Sequence, residues 1–464
     1  MERKMDWQQL LVEKRYNTSN IFYLRGESAY NIDSMNIIKS EAFQKLPEKT
    51  HIFPLESWEC CRTSMVHSLE VSYFSKMIVH KFAERNMRKS LSLKEIAKMS
   101  NTVSAVGLMQ EIGLPAFGYC GEAAMRAWFQ AYLVGFTYNG RPVVDWLGEQ
   151  QRRDLEHLNI QAQSLRIVRH LHDEKLRKKL NLTYPILNTM LKLSLRPSKK
   201  RKQSHLDHYQ SEQQFYRNVS DEMGVINQHP LTLIVQAASD IARTTSTIKE
   251  AIGKGLINTR EIVSYLQNKI DDSKLTYGQL YQYRELLGQR THFLYKEEQD
   301  ESAVLLWIED LQLRFINNAA SSFNKKHTTI MTGDYRHDLF YETDVEPLMK
   351  GLEGFVEEQI ICHSQLQKSE QIGRECIFDL LKRFVPAVIY FEEERTEEER
   401  VVNMHLSTQV KHLYHADLDG YKKPSQGDKL YHRLLMVVDF LTELTDEQAL
   451  RLSEKLMGFE VINR

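Results

Sequence analysis

Several residues in this chain have types that could do chemistry. Lys49 and Arg62 are cations ahead of an apolar helical stretch, where each either contacts phosphate or forms a structural salt bridge. Lys199-Lys200-Arg201-Lys202 follows Pro197 in a polar stretch reaching about Tyr209. So short a basic run is either a solvated loop or a contact for phosphate or single-stranded nucleic acid. Taken alone, His67 reads as a hydrogen-bonded core histidine and Asp240 as a satisfied helix carboxylate. Gln110-Glu111 closes a helical stretch, where a glutamate can simply be solvated, and Tyr119 can simply pack. The five cysteines are odd in number and form no CxxC pair. Neither a disulfide frame nor a thiolate metal site follows, and the usage fits a reducing cytosol.

Helices must position these residues. Gly 20 and Pro 10 are few for 464 residues, while helix formers abound, so the chain reads as mostly α-helical. Met65, Val66, Leu69, Tyr73, Met77 and Ile78 recur at three-to-four spacing and predict a helix over Thr63–Arg85. Ser92 and Glu95 form an S-x-x-E capping box that opens a helix over Ser92–Ile112, stopped by Gly113 and Pro115. Further helices are predicted over Glu122–Val134, His157–Asp173, Leu182–Leu193 and Pro230–Ile252, then at 364–384, 430–443 and 446–457. No run of alternating residues predicts a sheet.

Lys+Arg 61 against Asp+Glu 62 gives a net charge of -1, which argues against a strongly basic nucleic-acid coat or an acidic tail. The charged N-terminal stretch has no apolar core of a signal peptide, and no apolar run approaches the ~20 residues of a membrane span. The expectation is a cytoplasmic protein with no membrane partner.

Four segments, in this order and spacing, resemble the dGTP triphosphohydrolase branch of the HD-domain phosphohydrolases. They are Lys49-Thr50-His51-Ile52-Phe53-Pro54-Leu55 with Arg62 to Val71; Gln110 to Glu122; Ala162-Gln163 with Arg166; and His229-Pro230-Leu231 running into Ala237-Ala238-Ser239-Asp240-Ile241. Weaker echoes follow at Met331 to Tyr335, at Asp439-Phe440 and at Thr445-Asp446. The resemblance implies an all-α HD-domain helical body with helical insertions and a helical C-terminal region. It implies an HD-domain core over 1–260, including the N-terminal segment and the basic loop 196–209. Residues 261–464 would complete the site and supply oligomer interfaces.

The same resemblance implies a site in which a His, a His-Asp pair and a distant Asp hold one divalent metal. The metal generates a nucleophile from water, and dNTP is cleaved to deoxynucleoside and triphosphate. Here the first His is His67 and the last Asp is Asp240, but the His-Asp pair falls on Gln110 and Glu111. The His that would serve as acid or base falls on Tyr119, and its partner Glu is kept as Glu122. The nucleotide contacts would fall on Lys49, His51, Arg62, Gln161, Lys192 and Arg243. At these positions Lys-Thr-Gln has become Lys49-Thr50-His51, and the Tyr three residues after the last Asp has become Arg243.

A neutral amide is a poor replacement for imidazole at a transition metal, so His67, Glu111 and Asp240 would suit Mg or Mn, if any metal. A tyrosine with a pKa of about 10 is a poor base at pH 7. The expectation is a nucleotide-binding regulatory or assembly paralogue with lost or much reduced hydrolysis, able to bind dGTP or another dNTP. It would form a homo-oligomer, most simply a hexamer, or a mixed oligomer with an active relative. The alternative is an active metal-dependent dNTP triphosphohydrolase with a rebuilt site.

Overall fold

The structure is a computed structural model that describes residues 4–16, 29–55, 62–86, 91–171, 180–191, 193, 208–288, 301–393 and 395–456. Lys192, most of the basic loop, Cys60 and Cys61 lie outside the described residues.

The helices that position the site are α1 (Ala29–Lys39), α2 (Ser64–Asn86), α3 (Leu93–Met109), α4 (Gly118–Tyr132), α5 (Ile160–Leu171), α6 (Tyr184–Met190) and α7 (Pro230–Gly253). They continue with α8 (Glu301–Lys325), α9 (Glu346–Phe355), α10 (Ser364–Ile389), α11 (Thr408–Asp419), α12 (Gln426–Glu443) and α13 (Asp446–Leu456). Among the described residues the strands are two dipeptides, Thr137–Tyr138 antiparallel to Arg141–Pro142. The molecule is therefore all-α, as its composition demands. No described helix is long and apolar enough to cross a membrane.

Local rules account for most boundaries. The Ser92 hydroxyl accepts from Glu95 N while the Glu95 carboxylate accepts from Ser92 N, so the capping box forms as written. Pro230 occupies the first turn of α7, where its missing N–H costs nothing. α3 ends at Met109 rather than Ile112, and Gln110–Gly113 form a turn. Tertiary packing explains the early end. The Ser164 hydroxyl of α5 accepts from Gly113 N and donates to Gln110 O, tying the turn to α5. A Cβ at residue 113 would lie 2.4 Å from Ser164 N and 2.5 Å from Ile160 O, so only glycine lets the two backbones approach.

The apolar repeat of α2 marks two faces rather than one. Val71, Phe74, Ile78, Val79 and Phe82 are buried, whereas Val66, Leu69 and Tyr73 are exposed. Periodicity reports that a face is apolar, not what covers it.

Two apolar clusters fill the interior. One gathers α2, α3, α6, α7, α8 and α9; the other gathers α4, α10, α11 and α12. Each draws on residues from both sides of residue 260. α5 belongs to both, with Leu165 and Val168 in the first and Ala162 in the second. Between these apolar residues α5 carries Arg166, which is 1% exposed. Its guanidinium is bidentate to Asp439 at 2.9 and 2.7 Å and also reaches Asp417 (2.9 Å) and Glu212 (3.0 Å). Gln163 adds a bond to Asp439 at 2.9 Å. The Ala162-Gln163 and Arg166 segment and the weak echo at Asp439 are thus one buried device.

Gly113→Ala tests how closely the turn must approach α5. The added methyl meets backbone on two sides, and overpacking of this kind typically costs about 1–3 kcal/mol or more. Chemical denaturation should show a lowered midpoint with an unchanged slope; an unchanged midpoint would show that the turn can move away freely.

Candidate active site

The site forms where four segments meet: the His51 segment, the start of α2, the turn after α3 and the start of α4. Asp446, at the N-terminus of α13, fastens two of them. Its carboxylate accepts from Thr50 N (3.1 Å), Thr50 Oγ1 (2.7 Å) and Phe117 N (2.7 Å). Lys49 fastens a third. It is buried, and its ammonium donates to Leu114 O at 2.7 Å and Thr442 O at 2.5 Å. Burial, with Lys45 nearby, pulls its pKa down to about 7. Lys49 therefore serves here as a clamp on the Leu114 turn, and Asp446, known from the sequence only as a weak echo, is its counterpart.

Phe117 and Gly118 both adopt left-handed backbone, at φ 63 and 61. This sharp entry into α4 aims Tyr119 back at the turn after α3. The Tyr119 hydroxyl donates to Glu111 Oε1 at 3.2 Å. Glu111 Oε1 lies 3.7 Å from His67 Nε2, and the Gln110 amide lies 3.1 Å from that same nitrogen. The His51 ring stacks on His67 with centroids 3.9 Å apart and meets Tyr119 edge-on at 5.3 Å. His51, His67, Gln110 and Glu111 are all buried.

Arg62 closes the other side. Its guanidinium bonds His67 Nδ1 and Glu70, and approaches His51 Nδ1 at 3.4 Å. A guanidinium only donates, so both Nδ1 atoms must accept. In each neutral ring the proton then sits on Nε2, and Gln110 can bond His67 Nε2 only by turning its amide oxygen toward it. Burial and the charges of Arg62 and Arg243 hold the His51 pKa well below the usual imidazole value, so that ring is neutral. Its Nε2 is buried without a hydrogen-bond partner among the described residues.

The other expected residues lie on α4, α5 and α7. Asp240 is buried on α7 with its carboxylate 4.0 Å from Arg243, which also lies 3.7 Å from Glu353. Glu122 accepts from Arg126 (2.8 Å) and from Ile160 N (3.1 Å), capping α5. Gln161 is half-buried on α5. The structure thus brings together His67, Gln110, Glu111, Tyr119, His51 and Arg62.

Among the described residues, the His and carboxylate ligand atoms within 4.8 Å of one another belong to His51, His67 and Glu111. This set could hold an ion. It is not the expected one: Asp240 is outside it and His51 is inside it. The signal for His51 was present in the sequence, as a histidine replacing the glutamine of Lys-Thr-Gln. The ligand order that the resemblance implies does not fit a metal as the residues stand. Gln110 brings an amide, and His67 presents a protonated Nε2.

No protein-family model matches the chain. Among curated proteins it is 30% identical to the deoxyguanosinetriphosphate triphosphohydrolase-like proteins of Listeria monocytogenes and Listeria innocua, over 98% of this chain and 100% of each relative. It is also 25% identical to the deoxyguanosinetriphosphate triphosphohydrolase of Klebsiella pneumoniae, over 93% of this chain and 94% of the relative.

Glu250 on α7 supplies a pH test of the wall behind the site. It accepts from Arg62 N at 3.0 Å, yet burial pushes its pKa up to about 7. Between its unfolded value and about 7 the folded state binds the extra proton. Its contribution to stability is therefore full at low pH and is lost as pH rises through about 7. Glu250→Gln should flatten the stability profile across that window by up to about 1.4 kcal/mol per pH unit. Denaturation midpoints at pH 5, 6, 7 and 8 would show it, and parallel profiles for the two proteins would refute it.

Proposed function

Because the chain belongs to the dGTP triphosphohydrolase family, we propose that it is a nucleotide-binding regulatory or assembly member in which dNTP hydrolysis is lost or much reduced. One observation carries this reading. The groups that would bind metal and move protons are engaged with one another: Arg62 donates to His67 Nδ1, the Gln110 amide lies 3.1 Å from His67 Nε2, and Tyr119 donates to Glu111.

The chemistry follows from these contacts. A phenol that donates to a carboxylate is held in its protonated form, so it cannot take up a proton from water. His67 cannot act as a base through Nδ1 while that lone pair receives a guanidinium proton. Glu111 is the remaining candidate base. It lies in a buried site whose nearby cation, Arg62, is committed to His67 and Glu70. The ligand is dGTP or another dNTP. Arg243, which is half-buried, is the cation that would meet its phosphates, and the half-buried Tyr119 would offer a ring to its base or sugar. Lys49 supports the site from behind.

Assembly belongs to the same reading. We propose a homo-oligomer, most simply a hexamer, or a mixed oligomer with an active relative. The exposed Val66, Leu69 and Tyr73 on α2 support an interface.

The test separates binding from turnover. Purified protein should bind dGTP by calorimetry yet release triphosphate from each dNTP about 10²–10⁴-fold more slowly than an intact family enzyme with Mg, Mn or Co, the scale of a lost proton-transfer group. Robust triphosphate release that His67→Ala abolishes would mean that the site is rebuilt rather than silent.

A further inference from the structure

Two imidazoles and a carboxylate within 4.8 Å of one another form a donor set that proteins use for metals, and here they are buried together. A set of this kind is normally completed by groups that accept the outer N–H of each histidine, which leaves Nε2 free to bind. The outer group here is a donor. Arg62 bonds His67 Nδ1 and approaches His51 Nδ1, so it directs both Nε2 protons inward, to the positions an ion would need. The His51 Nε2 is left buried and without a hydrogen-bond partner among the described residues, an arrangement that ordinarily calls for a ligand.

We propose that His51, His67 and Glu111 form a latent divalent-metal site that Arg62 holds closed. Opening needs no net proton change at the rings. Arg62 withdraws from both Nδ1 atoms, retaining its bond to Glu70. Each ring moves its proton from Nε2 to Nδ1, and the two Nε2 lone pairs with a Glu111 oxygen bind the ion. Glu70 suits the holding role: it also accepts from Ser246 at 3.0 Å, so its carboxylate stays in place when Arg62 turns. The ligand chemistry favours zinc or cobalt over magnesium, since two of the three donors are imidazole. This assignment rests on the hydrogen-bonding pattern that also underlies the proposed loss of hydrolysis, but it concerns metal affinity and is read without any turnover assay.

The experiment uses cobalt as probe, followed by its visible absorption, together with the tautomers of ¹⁵N-labelled histidines in the full chain. The wild-type protein should show His67 protonated on Nε2 and weak cobalt uptake. Arg62→Met should bind one equivalent about 10–100-fold more tightly, the scale on which outer groups tune metal sites. The gain should vanish in Arg62→Met with His51→Ala. Arg62→Lys, which keeps the charge but loses the planar fork, should show the same gain if Arg62→Met fails to fold. Wild-type His67 protonated on Nδ1 would overturn the proposal. So would a folded Arg62 variant with no gain in cobalt affinity, or wild-type binding as tight as the variant's. Triphosphate release bears on the functional reading alone, so the two can fail separately.

Discussion

A single buried guanidinium sets the geometry of the molecule. Arg166 leaves water almost completely and is surrounded by Asp439, Asp417 and Glu212, which come from chain segments far apart in sequence. Burying such charges is expensive, and a buried ion pair is weak evidence for stability in itself. Its directional demand is the important property. A planar fork accepts its carboxylates in few arrangements, so it fixes how α5, α11 and α12 meet. Because α5 also shares in both apolar clusters, that fixed meeting orients one cluster against the other. The turn after α3 rests on α5 through Gly113 and Ser164, so the placement of Gln110 and Glu111 descends from the same constraint.

Much of this was legible in the chain. The capping box at Ser92 and Glu95 and the Pro230 start of α7 are local signals, and local physics honours them. What was not legible is tertiary. Nothing in the periodicity of α2 says that Val66, Leu69 and Tyr73 stay uncovered while Val71 and Phe74 do not. The early end of α3 is imposed by α5, dozens of residues away. Asp439 and Asp446 look unremarkable in sequence because their meaning lies in partners on other segments.

The site divides in the same way. Spacing shared with the family was enough to bring His67, Glu111 and Tyr119 to attention, and the fold does place them side by side. It also brought up His51 and Arg62, but as nucleotide contacts; their contacts with His67 depend on which nitrogen faces which donor. Lys49 shows the converse. A lysine next to candidate phosphate contacts invites an electrostatic reading, yet its ammonium faces two carbonyls and clamps backbone.

The histidine at 51 and the glutamine at 110 meet on one ring. Relative to the family pattern the two residue types stand exchanged, and both now touch His67. Restoring a histidine at 110 alone would crowd three imidazoles beside the Arg62 guanidinium. Restoring a glutamine at 51 alone would strip the set of its second imidazole. The two positions are therefore coupled through the ring between them, and the effect of changing one depends on the residue at the other.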